Sequence, residues 1–182
     1  MNSHNLILAS ASKVRAQMLS NAGLSFSVEV SSVDEDAIKN PAGDKSVEHI
    51  AEELAIIKAQ KVSANRSDAL VIGADQILEC EGKLFDKPEE RASGFTHLQS
   101  LSGKLHRLIT AAAVVQDGQV LWQATDDVRL TMRDLSDDFI EQYLDQAGED
   151  VLASVGAYRL EDIGAQLFRH VEGDFFTVLG LP

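Results

Sequence analysis

The sequence predicts a mixed α/β protein, because its apolar residues follow both helical and extended spacings. Over residues 46–65 they lie three or four positions apart, which is the spacing of one helix face. Residues 69–73 are wholly apolar or glycine, as in a buried strand. Residues 107–132 contain two apolar runs on either side of the turn Asp117-Gly118, which predicts a long antiparallel ribbon. Strands and helices do not alternate regularly, so a Rossmann unit is not predicted.

The other predicted elements are bounded by turn and capping residues. Small hydroxyl residues separate the first strand from a helix that ends at Gly23, and Ser136 caps a later helix with two acidic residues in its first turn. In chain order, the predicted elements are a strand at 5–9, a helix at 14–22, a strand at 26–30, a turn at 40–44, a hairpin turn at 82–83, helices at 89–100 and 136–147, and a strand-rich segment at 156–182.

The net charge and the single cysteine limit the class of protein. The formal charge of -13 disfavours a nucleic-acid binder or a membrane-surface protein, since both need basic patches. Cys80 is the sole cysteine, so no intramolecular disulfide can form. The apolar run at residues 6–9 is too short for a signal peptide or a membrane span. We therefore expect a cytoplasmic protein with neither nucleic acid nor membrane as a partner.

Ser10, Ser12 and Arg15 form a candidate phosphate site. They lie where a strand is predicted to turn into a helix N-terminus, whose free N–H groups and dipole attract anions. The two hydroxyls and the guanidinium would add hydrogen bonds to a phosphate. The alternative is that Ser12 is only an N-cap and Arg15 only a solvated helix residue, which is the commoner arrangement.

Two lysines are further candidates for binding phosphate. Lys58 falls four residues after Leu54 on the apolar face of its helix, where a cation needs a partner. Alternatively, its side chain extends past the helix end to water. Lys87 precedes Pro88, so we expect an extended backbone there and a side chain that projects from a rigid loop. Most Lys-Pro pairs have no such role.

Asp75 and Glu35 are the candidate catalytic and metal-binding carboxylates. Asp75 directly follows the apolar run 69–74, so we expect it at the carboxyl end of a strand, where open α/β sheets bind ligands. A carboxylate there holds a metal or orients an attacking water, and the alternative is a turn residue that ends the strand. Glu35 lies in the acidic loop 33–36 and is the candidate second metal ligand, although acidic loops are usually only solvated.

These candidates belong to a longer ordered series of short motifs. In order along the chain the motifs are Leu8-Ala9-Ser10-Ala11-Ser12 with Arg15, Asp34-Glu35, Lys58-Ala59, Gly73-Ala74-Asp75-Gln76, Lys87-Pro88, Ser102-Gly103 with His106, Gly156-Ala157-Tyr158 and Gly180-Leu181-Pro182. One such motif is a weak signal, but the ordered series is specific. Over nearly its full length the chain resembles the Maf family of nucleoside triphosphate pyrophosphatases.

The resemblance implies a fold, a reaction and a set of roles. The fold is one Maf-like domain over residues 1–182, two-lobed with a central cleft, as in inosine triphosphate pyrophosphatases. The reaction converts a nucleoside triphosphate to a monophosphate and pyrophosphate, which removes non-canonical nucleotides. Asp75 would activate water, and Glu35 with Asp75 would hold Mg²⁺ or Mn²⁺. The residues that would neutralise the triphosphate are Ser10, Ser12, Arg15, Lys58 and Lys87. A homodimer is a further expectation from the family.

Three positions bear on the choice of base. Gln76 and Glu161 resemble the family branch that acts on 7-methyl-GTP, whereas the pyrimidine-specific members carry threonine and glutamine there. A carboxylate at Glu161 accepts hydrogen bonds from guanine N1–H and N2–H but offers no donor to the carbonyls of uracil or thymine. Val14 replaces the first arginine of the family's opening motif. We expect a modified purine such as 7-methyl-GTP, with a dTTP/UTP pyrophosphatase as the alternative.

Two other functions stay open at this point. One is a nucleotide-binding regulator of cell division that does not hydrolyse its ligand, which the departures from the opening motif favour. The joint presence of Asp75, Glu35, Lys58 and Lys87 favours an enzyme instead, since a mere binder has no need of a water-activating carboxylate. The other is a general phosphatase, which would release orthophosphate in place of pyrophosphate.

Overall fold

The computed structural model describes residues 5–39 and 45–182. The strands are β1 (Asn5–Leu8), β2 (Ser27–Val28), β3 (Ala69–Cys80), β4 (Lys83–Phe85), β5 (Leu105–Gln116), β6 (Gln119–Met132) and β7 (Phe168–Glu172). The α-helices are α1 (Lys13–Asn21), α2 (Asp36–Lys39), α3 (Val47–Ser63), α4 (Arg91–Leu101), α5 (Asp137–Ala147) and α6 (Phe175–Leu179). Three 3-10 helices span Glu149–Ala153, Val155–Ala157 and Ile163–Leu167. The mixed α/β prediction is confirmed, and the turn predicted at 40–44 lies outside the described residues.

The chain divides into two compact units. The first unit comprises the described residues up to Gln76 together with 110–126 and 179–182, and the second unit comprises 77–109 and 127–178. The described strands form one seven-stranded sheet in the order β2-β1-β3-β5-β6-β7, with β4 paired to β3. No helix in the described ranges is both long and apolar enough to cross a membrane. The single domain and the central cleft that the resemblance implies stay predictions.

In the first unit, the amphipathic helix predicted from residue 46 is present as α3. Its N-cap is Ser46, whose hydroxyl accepts a hydrogen bond from the backbone N–H of His49 at 3.2 Å. Strand β1 pairs in parallel with both β2 and β3. The apolar face of α3 shares one buried cluster with residues of β1, β3 and β5, whose members are Ile7, Ala9, Ala59, Val62, Ala69, Val71 and Val115.

In the second unit, the cap predicted at Ser136 is confirmed, and the hairpin turn predicted at 82–83 lies one residue earlier, at 81–82. β3 and β4 are joined by Glu81 and Gly82, which both have positive φ, as a tight hairpin turn requires. Ser136 caps α5, with its hydroxyl accepting a hydrogen bond from a backbone N–H. His106 is buried with its Nε2 2.9 Å from the Tyr158 hydroxyl, and burial lowers the pKa of His106 to about 4. This histidine is therefore neutral at pH 7 and belongs to the core.

The position of Asp75 within its strand differs from the prediction. Asp75 does not follow a strand end, because β3 continues to Cys80. The parallel neighbour β1 pairs only with Ala69–Ile72, and the far end of β3, Leu78–Cys80, pairs with β4 as an antiparallel partner. The polar pair Asp75-Gln76 interrupts the apolar run without ending the strand. Asp75 thus lies just past the end of β1, in the middle of a longer strand.

The prediction of a strand-rich segment at 156–182 is wrong. This segment, which is described throughout, contains the single strand β7, a 3-10 helix and the short helix α6. Positive φ values at Gly156 and Ala157 prevent an extended backbone where the segment begins. Single apolar residues of this segment, such as Leu167, pack into the core of the second unit. Such packing does not require the alternating apolar pattern of a strand. The strand predicted at 26–30 is also shorter, because β2 covers only Ser27–Val28.

The close approach of α3 to β3 depends on a residue without a side chain. A Cβ added to Gly73 would lie 2.1 Å from the Ala55 carbonyl oxygen and 2.7 Å from the Ala59 backbone nitrogen, both on α3. These distances are far below van der Waals contact, and the atoms belong to a helix backbone that cannot move aside. Gly73 therefore sets the spacing between the helix that carries Lys58 and the strand that carries Asp75.

Replacing Gly73 by alanine should destabilise the first unit strongly. We expect Gly73→Ala to lower the free energy of unfolding by about 3 kcal/mol or more, because α3 must move away from β3. The matched control is Gly94→Ala in α4, where the nearest atom to the added Cβ is a side-chain carbon of Leu152 at 3.1 Å. Urea denaturation measures both, and an equal loss in the two variants would contradict this account of the packing.

Candidate active site

The centre of the candidate site is an ammonium group between two carboxylates. Lys58 Nζ lies 2.6 Å from Asp75 Oδ1 and 2.6 Å from Glu35 Oε1. The Lys58 side chain is 12% exposed and the Asp75 side chain 7%, so water screens this contact only weakly. The prediction that the cation on the inner face of α3 has a partner is confirmed, and two carboxylates share it. The three residues come from α3, from β3 and from the loop before α2.

Lysine side chains hold Glu35 in its charged form. Burial alone would raise the pKa of Glu35, but the hydrogen bonds and charges of Lys58 and Lys39 outweigh it, so the pKa is lowered from its ordinary value. Lys39 reaches Glu35 from one helical turn further along the chain, with its Nζ 3.2 Å from Oε2. The acidic loop predicted at 33–36 thus leads into the short helix α2, and its glutamate is paired rather than merely solvated.

The second oxygen of Asp75 is a buried acceptor. Among the described residues, Asp75 Oδ2 has no hydrogen-bond partner, although it is out of contact with solvent. An unsatisfied buried carboxylate oxygen costs stability, and it is commonly the place where a substrate, a water or an ion binds. One oxygen of Asp75 is therefore oriented by Lys58 while the other is left to accept a bond from something else.

The loop between β1 and α1 forms the hydroxyl-rich helix N-terminus that the sequence predicts. Ser12 is the N-cap, with its hydroxyl oxygen accepting a hydrogen bond from the Arg15 backbone N–H at 3.3 Å. The Ser10 hydroxyl oxygen accepts from the Ser12 backbone N–H at 3.2 Å. The capping interpretation of Ser12 is thus correct. It does not exclude a phosphate, since each hydroxyl still has its hydrogen to donate.

Arg15 is not the solvated helix residue of the alternative interpretation. Its Nε donates to the Gly180 carbonyl at 2.8 Å, and its Nη1 donates to the Ala74 carbonyl at 2.9 Å and to the Ser10 hydroxyl at 3.2 Å. Burial lowers the pKa of Arg15, while the charges of Asp75 and Glu35 act in the opposite direction. The guanidinium is therefore anchored on the residue that precedes Asp75 and lies within the field of both carboxylates.

Two of the residues predicted to affect base choice also belong to the first unit. Gln76 follows Asp75, and its side-chain Nε2 donates to the hydroxyl oxygen of Thr110 at 2.9 Å. Thr110 is fully buried on β5. Val14 is half-buried in the first turn of α1, next to Arg15 in sequence. The amide of Gln76 is thus held in one orientation beside the candidate catalytic carboxylate.

Lys87 and Glu161 lie in the second unit. Lys87 is exposed in the loop between β4 and α4, directly before the buried Pro88. Glu161 follows the 3-10 helix Val155–Ala157 in sequence, and its Oε1 accepts from Arg159 Nε at 3.2 Å. The structure thus brings Ser10, Ser12, Arg15, Glu35, Lys58 and Asp75 together in the first unit. The roles assigned to these residues, and to Lys87 and Glu161, stay predictions.

A match to the model of a protein family identifies the family of this chain. The model described as Maf-like protein matches residues 5–182, which is almost the whole chain. The chain belongs to the Maf family. All the residues of the candidate site lie within the matched range.

Curated relatives of this Maf-family chain are similar over nearly their full length. A nucleoside triphosphate pyrophosphatase from Paramagnetospirillum magneticum is 51% identical over 178 residues, covering 97% of this chain and 92% of its own. A 7-methyl-GTP pyrophosphatase from Rhizobium johnstonii is 48% identical over 180 residues, covering 97% and 90%. A solved dITP/XTP pyrophosphatase from Mycobacterium abscessus is far more distant, with 18% identity over 71% of this chain, 72% of its own and a TM-score of 0.36.

Sequence reasoning missed three contributors to the Maf-family site. Thr110 gave a weak signal, as a polar residue inside an otherwise apolar strand. Lys39 stands four residues after Glu35, the spacing of a helical ion pair, but the segment was interpreted as a loop. Gly180 belongs to one of the ordered motifs, but its contact with Arg15 gives no signal in the sequence, because it is made by a backbone atom 165 positions away.

Removing the Lys58 ammonium should raise the pKa of Glu35. In Lys58→Met the hydrogen bond and the opposite charge are lost while burial remains, so Glu35 should titrate at a higher pH than in the wild-type protein. Lys39→Met is the matched control and should produce a smaller upward shift. Carbon-13 NMR titration of the Glu35 carboxyl measures both. A Glu35 pKa that is unchanged in Lys58→Met would show that the ammonium does not hold this carboxylate.

Proposed function

We propose that this chain is a nucleoside triphosphate pyrophosphatase, which hydrolyses its substrate to a nucleoside monophosphate and pyrophosphate. The proposal rests on the Asp75 carboxylate, which is buried in the first unit. Lys58 contacts one of its oxygens, and the other oxygen has no hydrogen-bond partner among the described residues. Membership of the Maf family and the names of the curated relatives support it. The role of such an enzyme is to remove non-canonical nucleotides.

In this proposal Asp75 is the general base. Its Oδ2 is the acceptor for a proton of the attacking water, while Lys58 fixes the orientation of the carboxylate through Oδ1. Lys58 also places a positive charge next to the carboxylate. Hydrolysis of a phosphoanhydride needs positioning and charge neutralisation more than covalent chemistry. A covalent nucleophile is therefore not required.

The polyphosphate is bound by the groups at the N-terminus of α1. The hydroxyls of Ser10 and Ser12 donate hydrogen bonds, and Arg15 supplies a half-buried positive charge beside them. Lys58 adds a second cation from α3. Lys87 is assigned to the same task by the resemblance alone. Local cations of this kind let a protein with a net charge of -13 bind a highly charged anion.

A divalent cation, Mg²⁺ or Mn²⁺, is part of the proposal, with Glu35 and Asp75 as its protein ligands. The donor set fits such an ion, because both residues are carboxylates and they converge on one point, each with an oxygen 2.6 Å from Lys58 Nζ. No cluster of three acidic, histidine or cysteine ligands is present among the described residues. This agrees with Mg²⁺, which usually takes one or two carboxylates and completes its shell with water and phosphate oxygens. When bound, the ion would neutralise charge on the phosphates.

For the base, we propose a modified purine such as 7-methyl-GTP. The Gln76 and Glu161 pair of the resemblance and the name of the Rhizobium relative support it. Methylation at N7 places a positive charge on guanine, so hydrogen bonds from N1–H and N2–H to the carboxylate of Glu161 become charge-assisted. The pyrimidine triphosphates dTTP and UTP are the alternative substrates. We also propose a cytoplasmic location, since free nucleotides are found there.

A panel of nucleotides tests the reaction. The protein is incubated with canonical and methylated nucleoside triphosphates and Mg²⁺ or Mn²⁺, and pyrophosphate is separated from orthophosphate. We expect pyrophosphate, and we expect Asp75→Asn to lower kcat by about 10²- to 10⁴-fold, because the amide cannot accept the proton of water. Orthophosphate as the product would identify a general phosphatase. Nucleotide binding by calorimetry without any turnover would identify a regulator, and either result would overturn the proposal.

A single substitution tests the assignment of Glu161. Glu161→Gln should change the order of preference among the bases, since an amide offers both a donor and an acceptor, while the products stay a monophosphate and pyrophosphate. The ratios of kcat/KM for 7-methyl-GTP, GTP, dTTP and UTP measure the change. Arg159→Gln, which removes the ion-pair partner but keeps the carboxylate, is the control. A substrate profile identical to that of the wild type would show that Glu161 does not select the base.

A further inference from the structure

We infer that Gly180 is a positioning residue for the proposed reaction. Its main-chain carbonyl holds the Arg15 guanidinium so that one amino group, Nη2, is available to a substrate phosphate. The inference rests on the proposed function, because it assigns Arg15 to phosphate. It also gives a role to the motif Gly180-Leu181-Pro182, which the sequence presents without one.

The Arg15 guanidinium is held on two of its three nitrogens. Nε donates to the Gly180 carbonyl at 2.8 Å, and Nη1 donates to Ala74 and Ser10. These are all the hydrogen bonds that the Arg15 side chain makes with the described part of the chain, and none of them involves Nη2. A guanidinium is planar, so fixing Nε and Nη1 also fixes the direction of the two Nη2 hydrogens. Gly180 supplies the bond to Nε and thereby one of the two fixed points.

The acceptors around Arg15 orient its charge without neutralising it. Gly180 and Ala74 offer neutral carbonyls and Ser10 a neutral hydroxyl, and within the described ranges no carboxylate forms an ion pair with Arg15. Lys58, in contrast, is paired with two carboxylates. The hydrogen-bond acceptors of Arg15 carry no charge of their own, and Asp75 and Glu35 act on the guanidinium only through space. Arg15 is therefore prepared for phosphate in a way that Lys58 is not.

Only glycine fits at position 180. Its φ is +103°, a conformation that residues with a side chain rarely adopt. A Cβ built there would lie 2.9 Å from Arg15 Nε and 3.3 Å from Arg15 Nη2. The atoms in the way belong to the end of a long side chain, so a substitution displaces the guanidinium rather than the backbone. The absence of a side chain at Gly180 is thus what lets the carbonyl approach Arg15.

The test compares Gly180→Ala with a glycine that also has positive φ but has open surroundings. Gly118 has φ +72° in the β5–β6 turn, and a Cβ there meets no atom within 4 Å. Both alanine variants carry the cost of positive φ, but only Gly180→Ala displaces Arg15. With the best substrate of the nucleotide panel, we expect Gly180→Ala to raise KM about tenfold with a smaller change in kcat. Gly118→Ala should keep the KM of the wild type, with a similar loss in Tm.

A variant that lacks the Arg15 guanidinium shows whether Gly180→Ala changes KM by displacing Arg15. In Arg15→Lys the shorter ammonium cannot form the bond from Nε, so adding Gly180→Ala should raise KM no further. The inference would be overturned if the increases in KM caused by the two substitutions multiply in the double variant. A KM for Gly180→Ala equal to that of the wild type would also overturn it. A fall in Tm far beyond that of Gly118→Ala would do the same, since it would assign Gly180 to stability alone.

A measurement that needs no turnover keeps this inference separate from the proposed function. The Arg15 Nε–H should exchange slowly with water in nitrogen-15 NMR spectra of the wild-type protein, and the exchange should become faster in Gly180→Ala but not in Gly118→Ala. Fast exchange in the wild type would overturn the positioning of Arg15. A wild-type protein that shows slow exchange but hydrolyses no nucleotide would instead overturn the proposed function and leave the Arg15–Gly180 contact established.

Discussion

The contact of Lys58 with Asp75 and Glu35 is the interaction on which the rest of the site depends. It exists because α3 packs unusually close to β3, and Gly73 permits that approach by having no side chain where the backbone of α3 passes. A larger spacing would take the ammonium away from Asp75 and leave two acidic groups near each other without a cation between them. Buried groups of like charge repel strongly, so the helix, the strand and the acidic loop are held together by one shared charge.

The distribution of cations explains how an acidic chain suits a polyphosphate. Net charge describes the whole surface, whereas binding depends on the few charges that surround the ligand. Lys58 and Arg15 differ in how they are held, since Lys58 is paired with carboxylates and Arg15 with neutral acceptors. In the proposed reaction both cations act on the phosphates, and Lys58 has the additional task of orienting the Asp75 carboxylate.

Much of the fold follows from local patterns, and the failures have physical causes. Helix α3, the β5–β6 hairpin and the cap at Ser136 were predicted because spacing, turn residues and capping act within a few positions. The place of Asp75 inside β3 was not, because β3 continues past two polar residues to the part that pairs with β4. Lys58 could be identified as a buried cation, but not its two partners. The bond from Arg15 to Gly180 joins residues 165 positions apart through a backbone atom, and no periodicity records that.

The most direct test of the central claim is a double-mutant cycle on Lys58 and Asp75. It measures kcat/KM for the wild type, Lys58→Met, Asp75→Asn and the double variant with the best nucleotide substrate. If the ammonium and the carboxylate act as one unit, the double variant should have a kcat/KM no lower than that of the slower single variant. The reason is that either single substitution already removes the function of the pair. If the two losses multiply, or if either single variant keeps the wild-type rate, the claim that this pair forms the catalytic centre is wrong.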